Sequence, residues 1–320
     1  MIVSGVTYRC NFNCLFCLDY LKKKLSDPDL GSLRRGFKNM KSLGHDSVMF
    51  MTGESLIRPD ILKILDLARD CGLRVKVTTN GSRLSDYAFL DKIIACGVEQ
   101  INISVHSHIP RVANTLSQNQ NCHILQGRAL ENIDQFILSG KSSGLEVCVN
   151  TVVNKFNYRH LSSFCLYLRK KLAHTVFEHK LKLMLCKGIA PSLYKSMMLP
   201  LRVIRPYLLK SIKAVIKPGG QDSLHFSGFP LCVLSGYEWL STELQELLLH
   251  NTRYFLGEEV VDTREAQRRE YGYYKECRLC SLYRICCGVS KSYRLVYPNF
   301  NLEVSNADRE RIIRKVKSLH

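Results

Sequence analysis

Short apolar runs rich in β-branched residues alternate, over the first two thirds of the chain, with longer stretches whose apolar positions recur every three or four residues. The short runs are typical of buried strands, and the longer period predicts amphipathic helices. Six strands are predicted, over residues 3–8, 47–51, 74–79, 100–105, 146–153 and 181–185. Helices are predicted over residues 16–42, 60–70, 85–96, 124–139, 160–172 and 199–216.

This repeated alternation predicts an α/β fold in which a parallel sheet is covered by helices. Right-handed crossovers curl such a sheet toward a partial (β/α)6 barrel, similar to part of a TIM barrel. In parallel barrels the reactive groups lie in the loops that follow the carboxyl ends of the strands. We therefore expect the chemistry of this protein in the loops after the six predicted strands.

The alternation stops at Lys217-Pro-Gly-Gly-Gln, a break made of turn-forming residues. We place a domain boundary there, with a barrel over residues 1–217, a small cysteine-rich domain over 218–300 and a basic helical tail over 301–320. Within the second domain the pattern predicts a hairpin around residues 224–234 and a helix over 238–250. In the tail, Ser305 or Asn306 is the predicted N-cap.

Composition is that of a globular protein, with 46% hydrophobic and 23% charged residues. The sequence has no run of about 18 apolar residues, which argues against a membrane span. The first residues lack the basic segment and apolar core of a signal peptide. We therefore expect a cytoplasmic protein.

The net charge of +18 is concentrated in one region. Residues 155–217 contain fourteen Lys and Arg residues and a single acid, Glu178. Such a region attracts acidic partners: an acidic peptide or protein, nucleic acid, a phosphorylated substrate or an acidic electron carrier. A solvated face without a partner is the alternative.

Fourteen cysteines in a cytoplasmic chain do not predict disulfides. Two groups are closely spaced: Cys10, Cys14 and Cys17 form C-x3-C-x2-C, and Cys277, Cys280 and Cys286 form C-x2-C-x5-C, with Cys232 upstream as a fourth thiol. Thiolates this close repel each other unless a metal or a cluster neutralises them. Structural zinc usually takes four ligands, so three cysteines on one loop favour a [4Fe–4S] cluster with one open iron.

The first group, with Phe16 before its last cysteine, resembles the radical S-adenosylmethionine (radical SAM) superfamily. The resemblance implies that a [4Fe–4S] cluster on these cysteines binds SAM and cleaves it reductively. The 5′-deoxyadenosyl radical formed would abstract hydrogen from a substrate. An electron donor such as flavodoxin or ferredoxin is also implied. A zinc-binding or chance triplet is the alternative.

Motifs after later strands resemble the same family. Thr52-Gly53-Glu54-Ser55 resembles its Gly-Gly-Glu-Pro, which assigns Gly53 and Glu54 to the methionine amino group. The resemblance also assigns Asn80 to SAM binding, on a turn that matches the family and is also an ordinary Asn-Gly turn. The resemblance further suggests Ser104 for the methionine carboxylate or ribose, Asn150 for the ribose hydroxyls and Phe16 for adenine. The alternative for Ser104 and Asn150 is hydrogen bonding to backbone groups at a strand end, and the alternative for Phe16 is core packing. No catalytic residue is assigned.

The second group resembles the auxiliary-cluster extension of radical SAM enzymes, in its shorter twitch form rather than the full SPASM form. Cys232, Cys277, Cys280 and Cys286 would be the ligands of one [4Fe–4S] cluster, with Cys287 as the alternative to Cys286. Full ligation favours electron transfer and hence a net oxidation or cross-linking. A four-cysteine zinc site is the alternative.

The predicted substrate is a peptide or protein, or a small molecule. The alternatives are radical modification of RNA or a nucleotide, and a non-catalytic nucleic-acid-binding protein whose cysteines hold a structural metal. Only nine residues precede Cys10, so we expect no leader-peptide domain ahead of the barrel in this chain.

Overall fold

The structure is a computed structural model that describes residues 2–141, 144–186, 189–216, 223–249, 253–256, 259–299 and 302–319. Contacts divide the chain into two compact units. The first comprises the described residues up to Thr151, together with Phe164–His179 and Ile189. The second comprises Val152–Ser163, Lys180–Cys186 and the described residues from Ala190 onward. The predicted boundary at residue 217 lies outside the described residues and stays a prediction.

Seven strands form one sheet in chain order: β1 (Ile2–Ser4), β2 (Ser47–Phe50), β3 (Arg74–Thr79), β4 (Val98–Ser104), β5 (Glu146–Val153), β6 (Phe177–Leu183) and β7 (Ser223–Ser227). Strands β1 to β5 pair in parallel. Thr79 pairs with Ile103 and Ser104 with Asn150, so the carboxyl ends of β3, β4 and β5 lie at one edge of the sheet. The predicted parallel α/β sheet is confirmed.

Helices follow the strands: α1 (Leu30–Ser42), α2 (Ile61–Asp70), α3 (Tyr87–Ala95), α4 (Pro110–Ser117), α5 (Cys122–Leu138), α6 (Leu161–Lys171), α7 (Pro191–Met197) and α8 (Leu201–Val215). The buried core of the first unit contains β-branched residues of the strands and apolar residues of these helices, among them Val48, Val77, Ile101 and Leu130. The two periodicities in the sequence therefore mark the residues that form this core.

One predicted helix is too long at its start, and one predicted hairpin is wrong. The helix over residues 16–42 begins only at Leu30, because Asp29 caps α1 by accepting the Ser32 N–H at 2.9 Å. Before it, only Tyr20–Lys22 forms a 3-10 turn. The hairpin around residues 224–234 does not form, since Gly228 turns the chain at a left-handed φ of +81° and Leu231–Leu234 is a 3-10 helix.

The second unit carries α9 (Thr242–Leu249), β8 (Arg253–Leu256), β9 (Glu259–Asp262), α10 (Thr263–Glu270), β10 (Tyr271–Gly272), β11 (Val289–Ser290), α11 (Lys291–Val296) and α12 (Arg309–Lys317). The N-cap of α12 is Asp308, which corrects the prediction of Ser305 or Asn306. A core that includes Leu244, Leu282, Ile285 and Val316 packs the second cysteine loop against α9 and α12. Among the described residues, no helix is long and apolar enough to cross a bilayer.

A buried histidine on β6 gives the first testable prediction. His179 is 4% exposed, with Nε2 lying 3.0 Å from Thr151 Oγ1 and Nδ1 lying 3.6 Å from Cys165 Sγ. Burial lowers the pKa of His179 to about 3. In the unfolded chain this imidazole binds a proton as the pH falls through about 6.5, whereas in the folded chain it stays neutral. The folded state therefore loses stability as the pH falls below that value. We expect the free energy of unfolding to fall by about 2 kcal/mol between pH 6.5 and 5 through this group.

Urea unfolding under anaerobic conditions at several pH values measures this dependence. His179→Gln should lose most of it, whereas His160→Gln, at an exposed histidine, should retain it. An unchanged pH slope in His179→Gln would contradict the prediction.

Candidate functional site

Three thiols lie on the loop between β1 and α1: Cys10, Cys14 and Cys17. The loop is fixed to the end of α4 by two backbone hydrogen bonds. The N–H of Asn13 donates to the carbonyl of Ser117 at 2.9 Å, and that of Leu15 donates to Leu116 at 3.0 Å. Helix α4 was absent from the sequence prediction, since its eight residues are too short a window to show a helical period clearly. It supplies the support that positions the cysteine loop.

The three thiols are partly buried, and burial raises the pKa of each. Around Cys14 the charges of Cys10 and Cys17 raise the pKa further. Three thiolates here would therefore be unfavourable without a cationic centre to neutralise them. A set of three thiols in this environment fits an iron–sulfur cluster.

Asn80, in the turn after β3, contacts a predicted cluster ligand directly. Its Nδ2 lies 3.6 Å from Cys10 Sγ and donates to Asn11 Oδ1 at 2.9 Å. Its backbone N–H donates to Glu54 Oε2 at 2.5 Å, which fixes the turn. The role of Asn80 toward SAM stays a prediction, and the structure adds a contact of its side chain with a cysteine sulfur. Hydrogen bonds to cluster sulfurs tune the reduction potential.

The segment after β2 lies against the chain just before Cys10. Gly53 has a left-handed φ of +58°, and a Cβ there would lie 2.5 Å from the carbonyl oxygen of Arg9. The N–H of Glu54 donates to that same carbonyl at 2.8 Å. Only glycine fits at position 53, because any side chain would push the two segments apart.

Glu54 is fully buried, and its carboxylate joins the ends of two strands. Besides the Asn80 N–H, it accepts hydrogen bonds from Thr79 Oγ1 at 2.8 Å and from the Leu56 N–H at 3.3 Å. Burial raises the pKa of Glu54 to about 7. The side chain is thus part of the scaffold, and the predicted role of Glu54 toward SAM rests on its backbone.

Ser104, the last residue of β4, is the register neighbour of Asn150 in β5. Gln126 Nε2, on α5, donates to the carbonyl of Ser104 at 2.8 Å and to that of Asn80 at 3.1 Å, which ties two strand ends together. Asn150 is 8% exposed, and its Oδ1 has no hydrogen-bond partner among the described residues. A buried amide oxygen in this state needs a donor. A ribose hydroxyl of SAM would supply one, so this side chain fits the cofactor implied by the resemblance.

Phe16 is 7% exposed, and its ring meets that of His106 edge to face with a centroid distance of 4.8 Å. His106 follows β4, so the residue predicted beside adenine lies against the loop that begins after Ser104. The contact of Phe16 with adenine stays a prediction.

The hydrogen bond from Asn80 to Cys10 gives a second prediction. Asn80→Ala removes an N–H dipole that stabilises added negative charge on the sulfur, so we expect a more negative reduction potential. We expect SAM cleavage to slow by about 10- to 100-fold, because the donor then reduces a smaller fraction of the cluster. Potentiometric titration followed by EPR measures the potential. Asn11→Ala removes the other acceptor of the Asn80 amide and serves as control; equal potentials in Asn80→Ala and wild type would contradict the prediction.

The second cysteine group surrounds a small cavity in the second unit. All four predicted ligands line this cavity: Cys232, Cys277, Cys280 and Cys286. Leu231, Tyr274 and Val289 complete much of an apolar wall. Burial raises the pKa of Cys232, and the charges of the other three cysteines raise it further. Cys232, which lies about 45 residues before Cys277 in the sequence, thus shares one cavity with the C-x2-C-x5-C group.

Cys286 and Cys287 have different surroundings. Cys286 Sγ accepts backbone N–H groups from Leu231 at 3.5 Å and from Gly288 at 3.3 Å. A hydrogen bond from the Cys287 thiol, and then these two backbone bonds, lower the pKa of Cys286, whereas the same thiol bond and burial raise the pKa of Cys287. Among the described residues that line the cavity, Cys286 is present and Cys287 is not. This geometry favours Cys286 as the ligand.

No group of three or more His, Cys, Asp or Glu side chains in the described ranges is arranged as a site for one metal ion.

The family comparison covers the first half of the chain. Residues 5–163 match the radical SAM superfamily, and this segment contains the three thiols, Gly53, Asn80 and Asn150. These residues form a radical SAM domain.

Curated relatives of the radical SAM domain include GTP 3',8-cyclases. The enzyme of Paracoccus denitrificans is 29% identical over 158 residues, which cover 47% of this chain and 43% of that protein. The probable GTP 3',8-cyclase of Thermococcus kodakarensis is 32% identical over 112 residues, which cover 34% of this chain and 35% of that protein. The chain thus matches less than half of the length of these two relatives.

The fold is similar to that of Streptococcus suis SuiB bound to precursor peptide SuiA, with a TM-score of 0.57 over 92% of this chain and 72% of that one, at 13% identity. This likeness confirms the predicted fold class of a partial α/β barrel and carries no more than the fold.

The radical SAM domain brings together Cys10, Asn80, Gly53 and Glu54 through direct hydrogen bonds or close approach. Ser104 joins them through Gln126, which the sequence analysis missed. No local signal identified Gln126, because a glutamine on an amphipathic helix is ordinary. Its position between two strand ends appears only when the helix is packed on the sheet.

Proposed function

We propose that this chain is a radical SAM enzyme that abstracts hydrogen from its substrate. The cluster held by Cys10, Cys14 and Cys17 would supply an electron to SAM, which supplies the 5′-deoxyadenosyl radical. The observation that carries the proposal is the set of three partly buried thiols, with the Asn80 amide on Cys10 Sγ, inside a radical SAM domain.

The chain's own residues bind and orient the cofactor. Asn150 offers its buried amide oxygen to a ribose hydroxyl, and Gly53 lets the backbone after β2 approach the cysteine loop. Glu54 and Gln126 fix the strand ends on which these groups lie. Phe16 covers one side of the site with an apolar ring that excludes water.

We propose further that the second unit is a twitch-like domain with a second [4Fe–4S] cluster. Its support is the cavity lined by the four thiols Cys232, Cys277, Cys280 and Cys286. With four protein ligands every iron is occupied, so this cluster would exchange electrons rather than bind substrate. Such a role fits a net oxidation.

For the substrate we favour a nucleotide over the predicted peptide or protein. Curated relatives of this domain include GTP 3',8-cyclases, whereas the likeness to a peptide-bound enzyme rests on 13% identity. The basic region over residues 155–217 suits phosphate groups as well as acidic peptides.

Hydrogen transfer tests this choice. Anaerobic enzyme is supplied with dithionite, SAM and GTP deuterated at the ribose C3′ position, and deuterium in 5′-deoxyadenosine is measured by mass spectrometry. Deuterium transfer supports the nucleotide proposal. Deoxyadenosine without deuterium contradicts it and leaves peptides to be screened. A protein that forms no deoxyadenosine contradicts the radical SAM activity itself.

A further inference from the structure

A groove in the second unit is lined by four arginines, among other residues, and reaches the second cysteine group. Its charged lining consists of Arg264, Arg268, Arg284, Arg309 and Glu310. Tyr273 and Tyr283 line it too, and both also line the four-cysteine cavity. We call this feature the arginine groove. Its charge is strongly positive, because Glu310 already pairs with Arg309 at 3.2 Å.

Helix α10 presents two of these arginines together. Arg264 and Arg268 are four residues apart, so they lie on one helix face, and both are exposed. Between them Gln267 donates to the carbonyl of Glu243 at 3.0 Å, which fixes this face. Arg269 instead pairs with Glu265 at 3.1 Å. Within the described ranges no carboxylate forms an ion pair with Arg264 or Arg268.

Arg284 links the arginine groove to the cysteines. It lies two residues before Cys286, on a short loop whose turns are closed by backbone bonds from Tyr283 to Cys280 and from Ile285 to Leu282. Cys286 itself lines both the groove and the cavity, and Tyr273 donates its hydroxyl to the Cys286 carbonyl at 2.7 Å. A partner bound in the groove would therefore lie next to a ligand of the proposed second cluster.

We propose that the arginine groove docks an acidic one-electron carrier protein. The docking proposal rests on the proposed function, because a net oxidation of the substrate requires an electron acceptor. The substrate radical gives up one electron and one proton; the oxidised carrier takes the electron, and solvent takes the proton. Arginines pair with carboxylates through two hydrogen bonds and steer acidic partners over long distances. Electron-transfer encounters use small interfaces, which a single groove satisfies.

Binding of an oxidised plant-type [2Fe–2S] ferredoxin to the anaerobic holoenzyme tests the proposal, by calorimetry at low and high salt. Arg268→Glu combined with Arg284→Glu should raise the Kd at least about tenfold at low salt, because like charges now oppose each other. Arg269→Glu combined with Arg311→Glu changes the net charge equally, outside the groove, and should raise it less than about threefold. Wild-type affinity should fall with salt.

Equal weakening in both double variants, or none in the groove variant, would overturn the docking proposal. A polyglutamate peptide that binds as tightly as ferredoxin would overturn it in favour of an acidic peptide. Iron content and dithionite-driven deoxyadenosine formation are measured on the same preparations, since neither requires a carrier. If the wild-type protein holds only one cluster, the proposed auxiliary cluster is absent and the docking proposal fails with it. If the wild-type protein holds two clusters and the groove variant binds ferredoxin as tightly as wild type, only the docking proposal is overturned.

Discussion

Replacing Cys14 with alanine is expected to abolish formation of 5′-deoxyadenosine from SAM. Cys14 is the middle thiol of the loop and feels the charge of both neighbouring cysteines, so its removal leaves two ligands for a cluster that needs three. Rates should fall by more than about a hundredfold, the upper limit for losing a supporting residue. Iron should fall from about eight to about four per chain, because a [4Fe–4S] cluster is lost. Iron analysis and chromatography of deoxyadenosine measure both effects.

Cys122→Ala is the matched control. Cys122 is a buried cysteine packed with Phe12 in the same small apolar cluster, beside Cys10 and Cys14. It is not a predicted ligand, so its replacement should leave iron content and SAM cleavage near wild type. A Cys14→Ala protein that keeps eight irons and cleaves SAM would refute the assignment of the loop as the cluster site.

The double variant Cys277→Ala and Cys280→Ala should lose product formation but, unlike Cys14→Ala, keep SAM cleavage. These thiols line the second cavity and lie outside the radical SAM domain, so SAM cleavage should continue. Product should fall by about a hundredfold, because the electron left by a net oxidation has no acceptor. Iron should again fall to about four per chain. Deoxyadenosine and product are quantified in the same reaction, with the substrate found by deuterium transfer.

Cys287→Ser provides the control for this variant. Residue 287 is buried next to Cys286 but lies outside the lining of the cavity, and serine keeps a hydroxyl donor toward Cys286. Iron and product should remain near wild type. Loss of a cluster in Cys287→Ser, with retention in Cys286→Ser, would exchange the assignment of the two cysteines. Unchanged product yield in the Cys277 and Cys280 variant would reject the auxiliary role.

The strands were predictable because a buried strand has a local signature. The predicted strands over residues 74–79 and 146–153 agree with β3 and β5 to the residue. The helix over residues 16–42 failed because apolar residues near Phe16, Leu18 and Leu21 imitate a helical period. In the structure Leu18 and Leu21 are exposed, so they do not form the buried face of a helix.

The site was predictable only in part. The spacing of Cys10, Cys14 and Cys17 places three thiols on one loop whatever the fold around them. Asn80 is 70 residues from Cys10, and its contact with the sulfur was not visible in the chain. Glu54 shows the same limit, since the sequence did not show that its carboxylate accepts hydrogen bonds from Thr79 and Asn80, 25 and 26 residues away.

The sequence by itself determined the alternation of strands and helices and the two groups of closely spaced thiols, because both depend on residues near each other in the chain. The tertiary structure alone decided which distant groups meet: Asn80 with Cys10, Gln126 with two strand ends, and Cys232 with the C-terminal cysteines. These contacts depend on how strand ends and helices pack side by side. No local pattern of apolar and polar residues specifies that packing.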